Sequence, residues 1–147
     1  MGSLRIKTMF SGSKQKKKVI PAKILVVDDE PDCISIIRCR LEWCHYEVIT
    51  ASNGEEGLQT AEKERPDLIL LDTNMPVMSG QEMLERLRKH PMLNDTPVIM
   101  VTALCEKQDI AAASAIGIEN YVTKPIDFTS LIEKISNILG NKKVKIS

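Results

Sequence analysis

The sequence predicts an α/β domain in which a five-stranded parallel sheet is covered on both faces by five helices. Three observations predict it. Short apolar runs at 24–27, 68–71 and 98–101 show no apolar/polar alternation, the pattern of strands buried on both faces. The stretches between them repeat their apolar residues at helical spacing. Strand and helix signals then alternate along the chain without a repeat, which gives parallel strands joined by right-handed crossovers.

Taken in order, residues 1–22 carry six basic residues, no acid and no periodic apolar pattern, and are expected to be a disordered tail. Residues 23–27 form the first strand, which ends at Asp28-Asp29-Glu30. Pro31 suits a helix first turn, and Ile34, Ile37, Leu41 and Cys44 give the helix its inner face. His45-Tyr46 ends it, and residues 47–51 form the second strand. Ser52-Asn53-Gly54-Glu55 reads as a capping box for a helix that turns Leu58 and Ala61 inward and closes at Pro66.

The central strand, Leu68-Ile69-Leu70-Leu71, runs into Asp72 and is stopped by Thr73-Asn74-Met75-Pro76. Ser79-Gly80-Gln81-Glu82 reads as a second capping box, before a helix with Met83, Leu84 and Leu87 inward. Residues 98–101 form the fourth strand, ending at Thr102-Ala103. The alanine-rich segment 106–115 is expected to be a weakly anchored helix capped by Gly117. Residues 120–122 form the last strand, ending at Thr123-Lys124-Pro125. Asp127 caps the last helix, with Phe128, Leu131, Ile135 and Ile138 inward. The domain is thus expected over 23–140, with a short basic tail over 141–147.

Composition narrows the function classes. At 43% hydrophobic and 27% charged residues, this is the composition of a globular domain. No apolar run reaches membrane-spanning length and no signal-peptide core is present, so the expected location is the cytoplasm, without membrane partners. The four cysteines (33, 39, 44 and 105) lack metal-binding spacing and read as free thiols. The net charge of zero hides an acidic middle: eleven basic against twenty acidic residues, a net −9, between two basic tails. The tails lack interleaved aromatics, so nucleic acid is not the expected partner.

The chemistry lies at the strand ends. Asp28 and Asp29, Asp72, Thr102 and Lys124 follow four of the five strands, and in an open parallel sheet these ends share the edge where ligands bind. If the first and third strands are adjacent, three carboxylates crowd together, and at least one pKa rises unless a cation is present. An all-oxygen site with few carboxylates suits Mg²⁺. Lys124 adds a second positive charge and Thr102 a hydroxyl donor, a cradle for a phosphoryl group. Asp72 is then placed to act as nucleophile and form an aspartyl-phosphate.

From residue 23 to about 140 the chain resembles the receiver domain of two-component response regulators. The resemblance rests on Ile24-Leu25-Val26-Val27-Asp28-Asp29-Glu30, on Leu70-Leu71-Asp72 with Met75-Pro76 and Gly80, on Val101-Thr102-Ala103, and on Tyr121 with Lys124-Pro125. It implies a flavodoxin-like sheet in the order 2-1-3-4-5. It implies that Asp72 is the phosphoacceptor. Asp29, Asp72 and the Asn74 backbone carbonyl would ligate Mg²⁺ (or Mn²⁺), with Asp28 acting mainly through water. Thr102, Ala103 and Lys124 would bind the phosphoryl group, and Thr102 and Tyr121 would form a switch pair. His45 departs from the family's usual glycine after the first helix, and Leu104 is apolar where some members carry a polar residue that sets the lifetime of the phosphorylated state.

The function expected is therefore that of a stand-alone phosphoacceptor. It would be served by a sensor histidine kinase or histidine phosphotransfer protein, and would signal to a downstream protein through the face made by the fourth helix, fifth strand and fifth helix. It is not expected to be an enzyme beyond its own phosphoryl transfer and dephosphorylation. Two alternatives are a receiver fragment of a hybrid kinase and a nucleic-acid-binding regulator using its basic tails. An aspartate-nucleophile phosphatase of the haloacid dehalogenase class needs a second acid two residues after the nucleophile, and Asn74 stands there.

Overall fold

In the computed structural model, which describes residues 20–103 and 121–140, five parallel strands form one sheet. They are β1 (Lys23–Val27), β2 (Glu47–Ala51), β3 (Leu68–Asp72), β4 (Val98–Thr102) and β5 (Tyr121–Thr123), in the order β2-β1-β3-β4-β5. Four helices, α1 (Pro31–Trp43), α2 (Gly54–Glu64), α3 (Gly80–Lys89) and α4 (Phe128–Leu139), are described. The alanine-rich helix expected over 106–115, its Gly117 cap and both basic tails lie outside the described residues, except for residues 20–22.

Strand parity divides the core into two layers, because successive side chains of a strand point to opposite faces. Ile24, Val26, Leu68, Leu70, Ile99, Val101 and Val122 pack with Ile37 and Leu41 of α1 and with Leu131, Ile135 and Leu139 of α4. Leu25, Val27, Ile69, Leu71, Val98 and Met100 pack with Ala61 of α2 and with Met83, Leu84 and Leu87 of α3. All five residues of β3 are buried, as a central strand requires. Arg40 lies over the Phe128 ring, 4.8 Å from its centroid, and ties α1 to α4.

Two local expectations shift. The cap of α2 is Asn53, not Ser52: its side chain accepts from the Glu56 N–H at 2.9 Å. Glu56, not Glu55, completes the box by accepting from the Ser52 N–H and hydroxyl. The displacement follows from amide chemistry, since Asn is as good an N-cap as Ser and stands one residue closer to the helix. Among the described residues the last strand covers 121–123, one residue further than the expected end at 122, and residue 120 lies outside the described residues. The second expected cap holds: the Ser79 hydroxyl accepts from the Glu82 N–H, and Asp127 likewise accepts from Thr129 and Ser130.

His45 adopts the conformation a glycine would. Its φ is 69°, and its N–H and that of Tyr46 donate back to the carbonyls of Glu42 and Leu41, closing the end of α1. A side chain in this left-handed region costs about 1 kcal/mol. His45→Gly is therefore expected to raise the urea midpoint by an amount worth roughly 1 kcal/mol. An unchanged or lower midpoint would show that the imidazole repays the strain.

Candidate functional site

Parity and register assemble the site. Val27 pairs with Leu71 across β1 and β3, so the next residues, Asp28 and Asp72, are neighbours at the C-terminal edge. Both continue the parity of Val26 and Leu70 and so face the α1/α4 layer. Lys124, two residues past Val122, faces the same side, and its N–H donates to the Thr102 carbonyl at 2.7 Å. Thr102 follows the parity of Met100 on the opposite face, where Tyr121, half-buried, packs against the α2/α3 layer.

The charged groups converge within a few ångströms. Lys124 Nζ lies 3.4 Å from Asp28 Oδ2, 3.6 Å from Glu30 Oε1 and 3.7 Å from Asp72 Oδ2. Asp28 and Asp72 are 2% and 4% exposed, so Lys124 faces two carboxylates that water barely reaches. The Glu30 N–H donates to Asp28 Oδ1 at 2.9 Å, and the Asn74 N–H donates to Asp72 Oδ1 at 3.3 Å. Carboxylate oxygens of Asp28, Asp29 and Asp72 all lie within 4.8 Å of one another.

This crowding perturbs the titrations. Burial, followed by the charge of Asp28, pushes Asp72 up to about 6, against the opposing pull of Lys124 and of the Asn74 N–H. Burial alone would lower Lys124, but the carboxylates of Asp72 and Asp28 reverse the balance and its pKa rises. Burial and the neighbouring Asp28 push the Cys33 thiol to about 11, which makes it a poor nucleophile. Three carboxylates against one ammonium is a donor set that fits a hard divalent cation, and the Asp28/Asp29/Asp72 cluster is consistent with a divalent metal site.

The β3–α3 loop folds tightly over Asp72. A Cβ on Gly80 would run into the Asp72 carbonyl oxygen, so only glycine permits the approach, and the Gly80 N–H donates to the Thr73 carbonyl at 3.2 Å. Val77 turns the loop with φ 70° and is 77% exposed.

Of the residues singled out in the sequence, Asp28, Asp72 and Lys124 meet directly. Asp29 joins them from the exposed side, and Thr102 and the exposed Ala103 stand at the adjoining strand end. The Asn74 N–H donates to Asp72 Oδ1, a contact separate from the carbonyl role expected of that residue. Leu104 and Cys105 lie outside the described residues. Glu30, the third acid of the run that follows β1, also reaches Lys124, and its place directly after Asp28-Asp29 is the only sequence signal for it.

Comparison with known proteins adds an independent line. Residues 24–136 match the response regulator receiver domain family. The chain is 38% identical over 122 residues to the alkaline phosphatase synthesis transcriptional regulatory protein PhoP of Bacillus subtilis, covering 83% of this chain and 50% of that one. It is 37% identical over 122 residues to the polar-differentiation response regulator DivK of Brucella anthropi, covering 83% of this chain and 99% of that one. The chain spans about half the length of several curated relatives it matches, and nearly all of DivK. Among solved structures, chemotaxis protein CheY4 of Vibrio cholerae superposes with a TM-score of 0.77 at 32% identity, covering 82% of this chain and 100% of that one.

Proposed function

The chain belongs to the response regulator receiver domain family, a two-component signalling module rather than a conventional enzyme, and on that premise we propose that it is a cytoplasmic phosphoacceptor with Asp72 as its acceptor. The observation that carries this reading is the position of Asp72. It is a buried carboxylate at the end of the central strand, 3.7 Å from Lys124 and inside the three-acid cluster.

A receiver implies a histidine kinase or phosphotransfer protein as donor. In the proposed step an Asp72 carboxylate oxygen bonds to phosphorus while the P–N bond to the donor imidazole breaks. The electron pair stays on the imidazole nitrogen, which takes a proton from water. Asp29, Asp72 and the Asn74 carbonyl would hold Mg²⁺ (or Mn²⁺), with Asp28 acting through water, and the ion would offset the charge on the phosphoryl oxygens. Lys124 moves from the carboxylates to a phosphoryl oxygen, and the Thr102 hydroxyl and Ala103 N–H donate to the others.

The test uses a small acyl phosphate with Mg²⁺. One phosphoryl group is expected, labile to hydroxylamine and mapping to Asp72. No incorporation, or a label elsewhere, refutes the assignment.

A shallow apolar recess of about 160 Å³ adjoins Lys124, with Ile36, Ile126 and Phe128 in its lining, and suits a helix of the donor protein. Ile36 is 54% exposed, so Ile36→Asp is expected to leave the fold intact. It should slow transfer from a phosphohistidine protein roughly tenfold while sparing the small donor. Equal slowing with both donors would remove this face from recognition. For output, we place the phosphorylation-dependent change on Tyr121 and the surface of β5, α4 and segment 106–115. Amide exchange between 102 and 128 that is unaffected by a phosphoryl mimic would refute that placement.

A further inference from the structure

Glu30 reaches the mouth of the site from the start of α1. It occupies the N-cap position, yet its side chain makes no capping hydrogen bond. Its main chain is fully engaged, the N–H with Asp28 Oδ1 at 2.9 Å and the carbonyl with the Ile34 N–H at 3.1 Å. The carboxylate goes to Lys124 instead, at 3.6 Å, and remains 66% exposed.

Lys124 therefore has three carboxylate neighbours, a hydrogen bond to Asp28 at 3.4 Å and ion pairs with Glu30 and Asp72. A phosphoryl oxygen arriving at Asp72 competes with all three for the ammonium. Asp28 is 2% exposed, and losing Lys124 would leave it charged, desolvated and without a counter-charge. Asp72 is the residue being modified. Glu30 alone regains water when it lets go, so its release is the cheapest of the three.

We infer that Glu30 is a positioning residue that restrains Lys124 in the resting protein and releases it as the phosphoryl group arrives. This rests on Asp72 being the acceptor. The restraint acts through the length of the side chain as well as its charge, because the reach from the N-cap to Lys124 needs the glutamate arm. Glu30 thus sets how readily the unphosphorylated protein accepts an anionic donor.

The experiment measures the second-order rate of phosphoryl incorporation from a small acyl phosphate with Mg²⁺, together with labelling of the Lys124 amine by an amine reagent in metal-free protein. Glu30→Gln is expected to speed incorporation roughly two- to fivefold, the scale of an exposed ion pair, and to speed Lys124 labelling. Glu30→Asp keeps the charge on a shorter arm and is expected to behave like Glu30→Gln. Asp32→Asn removes a charge from the same helical turn and is expected to match wild type in both measurements. A Glu30→Gln rate equal to wild type overturns the inference. So does a Glu30→Asp protein that behaves as wild type while Glu30→Gln accelerates, because charge alone would then suffice. If wild type accepts no phosphoryl group, the acceptor reading fails, and unchanged Lys124 labelling in Glu30→Gln separately refutes the restraint.

Discussion

Asp72→Asn is expected to abolish phosphoryl incorporation and, in the same protein, to raise the stability of the metal-free form at neutral pH by about 3 kcal/mol. The loss follows from the amide's inability to act as the nucleophile. The gain follows from the cost of the charge it removes. Burial and Asp28 hold Asp72 at about 6 even with Lys124 present, whereas an unfolded chain titrates it near 4. Below about pH 4 both states carry the proton and the carboxylate costs nothing. Between about 4 and 6 the unfolded chain loses its proton first, so stability falls as pH rises. Above about 6 the penalty is constant. Urea titrations of both proteins at pH 4 and pH 7.5 should therefore show a gap that opens with pH. Mg²⁺ should stabilise wild type by mass action and close part of it. A variant no more stable than wild type at pH 7.5, or one still labelled at another residue, would contradict this account of Asp72.

Most of this site was legible because it depends on parity and order. Three runs without alternation demanded a sheet buried on both faces, and polar residues at their ends had to gather on one edge. Parity alone puts Asp28, Asp72 and Lys124 on one face, since each stands two residues past a core residue of the α1/α4 layer. The adjacency of β1 and β3 was not a consequence of periodicity. It came from the family resemblance, and the register Val27 to Leu71 bears it out. The α2 cap slipped by one residue because Ser52 and Asn53 are both good caps and sequence spacing does not rank them. The left-handed Val77 was invisible, since a β-branched residue is the last choice for that conformation. Glu30 was overlooked because its partner is distant in sequence, 94 positions away at Lys124, and only the fold brings them together.

The second large effect concerns Lys124. Among the described residues, its ammonium is the cation paired with Asp28 and Asp72. Lys124→Met keeps the apolar stem but leaves two carboxylates, 2% and 4% exposed, facing each other without a counter-charge. Breaking a buried pair by removing one partner costs about 3 kcal/mol or more, because the remaining charge has neither water nor a counter-charge. The metal-free variant is therefore expected to lose about that much stability at pH 7.5, where Lys63→Met, on the exposed face of α2, should cost little. The loss has a predictable pH dependence. Without Lys124 the Asp72 pKa rises beyond about 6, because the ammonium is one of the influences holding it down. Acidification then protonates Asp72 and relieves the repulsion, so the gap to wild type should narrow as pH falls through that range. At the alkaline end, wild type itself loses the ion pairs as pH passes through the elevated Lys124 value, and the two proteins should converge again. Mg²⁺ should rescue the variant more than it stabilises wild type, because the cluster no longer contains a competing cation. A variant as stable as wild type at pH 7.5, or one that Mg²⁺ leaves unstable, would show that the carboxylates are not held together by charge balance.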